Sequence, residues 1–118
     1  MIRAELRDIH CSDADPLETW VPYSDDWGLP FEMSIGSVGS SGADIFQVLV
    51  CSPAWIVREA REGAIVDGRH HLIVASYDFD RLHAYLRGRV SQVQGATWGE
   101  VAERLARFAR WEFEDYRR

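Results

Sequence analysis

Apolar and polar residues alternate with a period of two in the first half of the chain, which is typical of strands with one buried face. The pattern is present at residues 2–6 and again at residues 31–35. After a Gly/Ser-rich turn comes the run IFQVLVC, which is apolar almost throughout. We therefore predict a first strand, then a hairpin whose second strand lies in the interior of the sheet.

Helix start signals follow the hairpin at two places. Ser52 before Pro53 favours a helix start, because serine caps the helix and proline suits its first position. We expect this helix to end at Gly63. Asp78 can cap a second helix, whose apolar residues are spaced three and four apart. The apolar residues 70–77 between the two helices predict a further strand.

The C-terminal segment, residues 97–116, begins with Thr97 and Glu100 at the spacing of a capping box. A helix that continues to residue 116 places Glu112 in the apolar stripe and turns Trp111 out of it. If the chain instead becomes extended near residue 110, Trp111 lies on the apolar face and Glu112 on the other. We favour the helix, because no Gly or Pro interrupts the run, and the extended alternative stays open.

These elements predict the order βββαβαα. The corresponding fold class is α+β, with a mainly antiparallel four-stranded sheet and helices packed on one face. With 118 residues, of which 47% are hydrophobic, the chain fits one domain that spans residues 1–118.

The sequence gives no sign of a membrane segment or a cofactor. No run approaches the roughly 20 apolar residues of a transmembrane helix, and the charged N-terminus lacks the apolar centre of a signal peptide. We therefore expect a cytoplasmic protein. Cys11 and Cys51 lack the spacing of a zinc or redox motif, so we expect two buried, reduced thiols and neither metal nor cofactor.

The formal net charge is -6, and the charged residues are distributed unevenly along the chain. No Arg or Lys lies between Arg7 and Arg58, whereas that stretch contains eight acidic residues. A nucleic-acid binder needs a basic groove or stripe, so we expect no nucleic-acid partner. The pattern fits either ordinary acidic loops or an acidic patch that steers a basic protein partner.

The long connection over residues 12–30 is the first place where we expect a binding surface. It contains three of the four prolines with clustered Asp and Ser, which predicts a loop with one turn of helix from Pro16. Long loops in compact domains often carry function. The predicted partner-binding residues are Tyr23, Asp25, Asp26, Trp27, Trp111, Glu114 and Asp115. Core packing is the alternative interpretation for the aromatic members, although Trp and Tyr are common interface anchors.

A catalytic interpretation would use His70, His71 and Glu112, as in a small hydrolase. Adjacent strand residues point to opposite faces, so the two histidines cannot both bind one metal from regular strand geometry. The sequence also lacks HExxH, a glycine-rich phosphate loop, a GxSxG elbow and a paired-carboxylate signature. We therefore predict no catalytic residues, and expect Glu112 to be a buried or half-buried carboxylate that pairs with Arg69, His70 or His71.

Four short strings carry a resemblance to a known family. GRHHLIV, SPAW, TWGEVAERL and WEFEDYR together resemble the immunity protein 8 family of bacterial polymorphic toxin systems, and the opening MIRAEL also fits. The resemblance implies a small cytoplasmic protein, encoded beside a toxin, that protects the producing cell by binding that toxin domain. The acidic half is consistent with a basic toxin. Without the resemblance, a non-enzymatic adaptor or structural protein-binding domain fits equally well, and both monomer and homodimer stay open.

Overall fold

The computed structural model describes residues 1–61 and 63–114, and six strands and three helices are formed within them. They are β1 (Ile2–His10), β2 (Gly28–Ser37), β3 (Asp44–Cys51), α1 (Pro53–Arg61), β4 (His71–Ile73), α2 (Phe79–Ser91), β5 (Gln94–Gly95), α3 (Trp98–Leu105) and β6 (Arg110–Trp111). The α+β class is confirmed. The order differs from the prediction, because β5 and β6 are two-residue strands that are too short to produce a visible alternation.

The sheet is mixed, with the strand order β4-β3-β2-β1-β5, and β6 also pairs with β3. β3 and β4 are parallel, whereas the other pairings are antiparallel. The parallel pair follows from α1, because a crossover that contains a helix brings the chain back in the same direction. The prediction of a four-stranded sheet is therefore wrong in strand number, and the sheet is mixed because one of its mainly antiparallel pairings is parallel.

The hairpin of β2 and β3 forms the centre of the core, as predicted. Met33 lies opposite Phe46 in this hairpin, and both side chains are fully buried. α2 and α3 cover the same face and contribute Leu86 and Val101 to one continuous apolar cluster. Pairing with β2 on one edge and with β4 and β6 on the other confirms that β3 is an interior strand.

α1 starts at the predicted residues but packs differently from the other helices. The Ser52 hydroxyl accepts the Trp55 N–H at 3.2 Å, and Pro53 is the first helical residue. The Trp55 indole covers Gly28, where a Cβ atom would lie 2.7 Å from Nε1, so a larger residue would displace the indole. Side chains alternate along β2, so this side of Gly28 is opposite to the buried Leu29. The prediction that the helices pack on one face of the sheet is therefore correct for α2 and α3 only.

The caps of α2 and α3 form at the predicted residues. Asp78 Oδ1 accepts the Arg81 N–H at 3.3 Å, and Thr97 Oγ1 accepts the Glu100 N–H at 3.1 Å. The Glu100 carboxylate accepts the N–H of Ala96 at 3.3 Å, one residue before the Thr97 N–H that the carboxylate of a capping box binds. Local sequence signals thus set both helix starts.

The segment after α3 leaves the helix and forms β6, so the predicted helix through this segment is wrong as far as residue 114. Trp111 pairs with Phe46 in antiparallel register, and their rings stack with centroids 6.3 Å apart. The Glu112 N–H donates to the Ile45 carbonyl at 3.0 Å, while the Glu112 side chain is exposed. The extended alternative is confirmed for Arg110–Trp111, and residues 115 and 116 lie outside the described residues.

One carboxylate oxygen connects β6 to the sheet. Asp44 Oδ2 accepts the indole N–H of Trp98 at 2.8 Å and that of Trp111 at 3.0 Å. Hydrogen bonds to an ionised acceptor are stronger than neutral ones. Because the two indoles come from α3 and β6, Asp44 ties both elements to the start of β3. These contacts outweigh the helical pattern of the sequence.

Replacing Trp111 with Ala should lower the free energy of unfolding by about 2 to 4 kcal/mol, because ring stacking and the indole hydrogen bond are both lost. Replacing the exposed Glu112 with Ala should change it by less than about 0.5 kcal/mol. Urea unfolding of both variants at neutral pH measures the difference. A Glu112→Ala variant that is less stable than Trp111→Ala would contradict the placement of β6.

Candidate partner-binding site

Three aromatic side chains hold the loop between β1 and β2. Trp20, Trp27 and Tyr77 pack edge to face, with centroid separations of 4.9, 5.6 and 6.0 Å. The Tyr77 hydroxyl donates to the carbonyl of Leu17 at 2.6 Å. Since Trp20 and Trp27 contact each other, they close the base of the segment 21–26 and leave it as the tip of the loop.

Trp27 is an anchor of this loop, and its side chain is only 8% exposed. Its backbone N–H donates to the Ser52 hydroxyl at 3.2 Å, and its carbonyl accepts the Ser52 N–H at 3.0 Å. The residue that caps α1 therefore also fixes the end of the loop. The core alternative is correct for Trp27, so this residue is not an exposed contact as the sequence predicted.

The tip presents an aromatic and an aliphatic side chain beside a carboxylate. Tyr23 is fully exposed and Val21 is 76% exposed, and Asp25 in the same segment is also exposed. Asp26 is half-buried and forms an ion pair with Arg58 of α1. Sequence reasoning missed Val21, because a single apolar residue in a polar loop has no periodic signal. Its place between the two anchoring tryptophans was the one available indication.

Carboxylates from the arginine-free stretch dominate the surface of this loop. Of the eight acidic residues between Arg7 and Arg58, six are exposed and make no ion pair within the described part of the chain: Asp8, Asp13, Asp15, Glu18, Asp25 and Glu32. The other two are engaged, Asp26 by Arg58 and Asp44 by the two indoles. Four of the six lie in the loop itself, so the loop is acidic as well as anchored.

The predicted residues near the C-terminus form a separate group. Trp111 is half-buried against β3, and Glu114 pairs with Arg69 at 2.5 Å. Asp115 lies outside the described residues. The loop reaches β3 near Cys51, whereas Trp111 is paired five residues earlier, roughly 17 Å away along the strand. The sequence-predicted contacts thus divide into two groups, of which the loop tip is the exposed one.

The adjacent histidines have structural contacts at the turn that precedes β4. His70 Nε2 lies 2.8 Å from the Ala106 carbonyl oxygen, and His71 Nδ1 lies 2.9 Å from that of Arg69. His70 has a φ of 65°, a left-handed conformation, so the strand predicted over residues 70–77 starts one residue later, and it ends already at Ile73. The His70 ring therefore connects this turn to the end of α3, and the His71 ring contacts the backbone of the turn itself.

Glu112 is exposed, so the expected buried ion pair at Glu112 is wrong. Arg69, its predicted partner, pairs with Glu114 instead. Within residues 1–61 and 63–114 no group of three His, Cys, Asp or Glu side chains could hold a metal ion.

Burial keeps the two thiols and one phenol of this region protonated. Cys11 and Cys51 are both free and buried, as predicted. Burial raises the pKa of Cys11, raises the pKa of Cys51 to about 11, and raises the pKa of Tyr77 to about 12. A protonated thiol is a poor nucleophile, so both cysteines serve as packing residues at neutral pH.

Comparison with known proteins decides the family. The family model described as immunity protein 8 matches residues 4–116. The chain belongs to the immunity protein 8 family. No curated protein and no solved structure matches it. None of the helices in the described residues is long and apolar enough to cross a membrane.

The strings that resemble the immunity protein 8 family have structural roles in this member. SPAW begins α1, and TWGEVAERL contains the cap of α3. GRHH forms the turn before β4, which contacts the end of α3 through Ala106. These segments position the elements around β3, while the exposed loop tip lies outside all of them.

Raising the pH from about 9 to 12 should destabilise the fold, because the unfolded thiol and phenol ionise near 9.0 and 10.0 whereas folded Cys51 and Tyr77 ionise near 11 and 12. The contribution of these two groups to the free energy of unfolding is complete below pH 9.0 and is lost as the pH rises through their folded-state pKa values. Tyr77→Phe should remove the upper part of this decline, and the exposed Tyr85→Phe should not. Urea unfolding across this range is the measurement, and identical pH profiles for both variants would refute the assignment.

Proposed function

We propose that this protein is an immunity protein that binds and neutralises a cognate secreted bacterial toxin domain and thereby protects the producing cell. The observation that carries the proposal is the family match over residues 4–116. The anchored loop supports it, because a fixed and exposed tip is a feature of protein recognition surfaces. The proposal assigns no catalytic step and no cofactor to the chain.

The loop tip is the surface that we assign to the toxin. Tyr23 and Val21 offer apolar contact area, and tyrosine is among the residues that most often dominate binding energy. The aromatic anchors hold the tip in place before binding, so less conformational entropy is lost on association. The exposed carboxylates of the loop, of which Asp25 lies in the tip, favour a toxin with a basic surface.

In cells, the protein should restore growth when it is co-expressed with the toxin domain encoded beside it, and purified protein should show no activity of its own. An adaptor without a toxin partner predicts no rescue. Growth should be measured at equal soluble expression of both chains. Toxicity that persists under those conditions refutes the proposed function.

Charge steering by the loop should make the association rate depend strongly on salt, because screening shortens the field to about 10 Å at 0.1 M. Asp25→Asn should slow association at low salt with little effect near 500 mM, whereas Tyr23→Ala should mainly accelerate dissociation, by roughly tenfold or more. Stopped-flow or surface-based kinetics provide both rates.

Glu103→Gln is the matched control, because it removes one exposed carboxylate from α3 instead of the loop. A rate that responds equally to Glu103→Gln and Asp25→Asn would show that net charge acts without the loop. In that case the loop surface would be the wrong assignment.

A further inference from the structure

The outer edge of β4 has backbone groups that no strand uses. β4 is the last strand of the sheet on that side. The Leu49 N–H donates to the His70 carbonyl and the Val74 N–H donates to the Cys51 carbonyl, which fixes the alternation of the parallel ladder. The N–H and C=O of Ile73 therefore point away from β3, and neither has a hydrogen bond within the described residues.

A groove lies beside this edge. A cavity of about 440 Å³ is lined on one side by β4 and the residues after it, and on the other by the start of α2. The helix wall consists of Asp78, Arg81, Leu82 and Tyr85, at the spacing of one helix face. Tyr85 is 52% exposed on the helix wall. Ile73 pairs with Cys51, so its side chain lies on the face opposite to α2, and its backbone borders the groove. The shape and backbone chemistry fit an extended polypeptide segment.

The charges of the groove specify one feature of that segment. Asp78 is already engaged as the cap of α2, where its carboxylate accepts the Arg81 N–H. The Arg81 guanidinium is exposed and has no acceptor in the part of the chain that the structure describes. A carboxylate on the incoming segment would complement this guanidinium in a charge-assisted hydrogen bond.

We propose that an extended segment of the toxin domain adds to the sheet as a further strand beside β4, with an apolar side chain in the groove and a carboxylate on Arg81. This mode is β-strand addition, in which backbone hydrogen bonds give affinity and the pocket gives specificity. The inference rests on the proposed function, since the toxin is the partner. It adds a second contact, separate from the acidic loop and opposite to it in charge preference.

The edge itself supports this assignment. Exposed sheet edges are usually protected by Lys, Pro or a bulge, because unpaired backbone groups recruit other strands. β4 instead presents the β-branched and half-exposed Ile73. Its length of three residues offers too few backbone groups to hold a strand without side-chain contacts, and the groove beside it supplies those contacts.

Ile73→Pro tests the backbone contact directly. Proline removes the outward N–H, and edge strands tolerate proline where that N–H faces solvent. Ile73→Val is the matched control, because it keeps the N–H and a similar side chain. We expect Ile73→Pro to raise the Kd for the toxin domain by about tenfold or more and Ile73→Val to leave it within about twofold. Arg81→Gln should weaken binding by about fivefold, and Arg87→Gln on the same helix should not.

Hydrogen exchange of the wild-type complex gives a readout that needs no variant. The Ile73 amide should become protected when the toxin domain binds. Unchanged exchange at Ile73 overturns the groove assignment, and so does an unchanged Kd for a folded Arg81→Gln variant. If the wild type still rescues growth, the proposed function stands in either case. A free protein that sediments as a dimer and becomes monomeric in Ile73→Pro would also overturn it, since a second copy would then occupy the edge. Failure of the wild type to bind the toxin domain removes both proposals together.

Discussion

The second edge of β3 is the constraint on which the rest of the structure depends. One edge of β3 is paired with β2 over its whole length, whereas the other is shared by β4, in parallel, and β6, in antiparallel orientation. Strands of three and two residues contribute few backbone bonds, so side chains must hold them. Asp44 binds the indoles from α3 and β6, and the turn before β4 is bonded to Ala106. This edge thereby orders the C-terminal half of the chain.

The same strand also fixes the loop at its other end. Ser52 follows β3 directly, caps α1 and exchanges hydrogen bonds with Trp27, so one residue connects the core, the helix and the loop. Tyr77, just before the cap of α2, completes the anchor through its contacts with Trp20 and Trp27. The tip is therefore held by contacts that the free protein already makes, which suits the role in toxin binding that we propose for it.

Local signals in the sequence were enough to predict β1, the hairpin and the starts of all three helices, because alternation and caps involve residues that are close in the chain. β6 was mispredicted because its position depends on Phe46 and Asp44, which lie more than sixty residues earlier. The parallel pairing of β4 likewise depends on where the crossover returns. For the candidate site, charge indicated the loop, but burial of Trp27 depends on Tyr77, a contact that no local pattern contains.

The uneven charge of the sequence becomes an uneven surface in part because four arginines of the second half are used within the structure. Arg58, Arg69 and Arg104 form ion pairs with acids, and Arg89 lies over the ring of Phe108 at 4.7 Å. The exposed acids of the loop receive no such partner within residues 1–61 and 63–114. These carboxylates would attract the basic surface that we propose for the toxin, while the buried aromatic side chains anchor the loop.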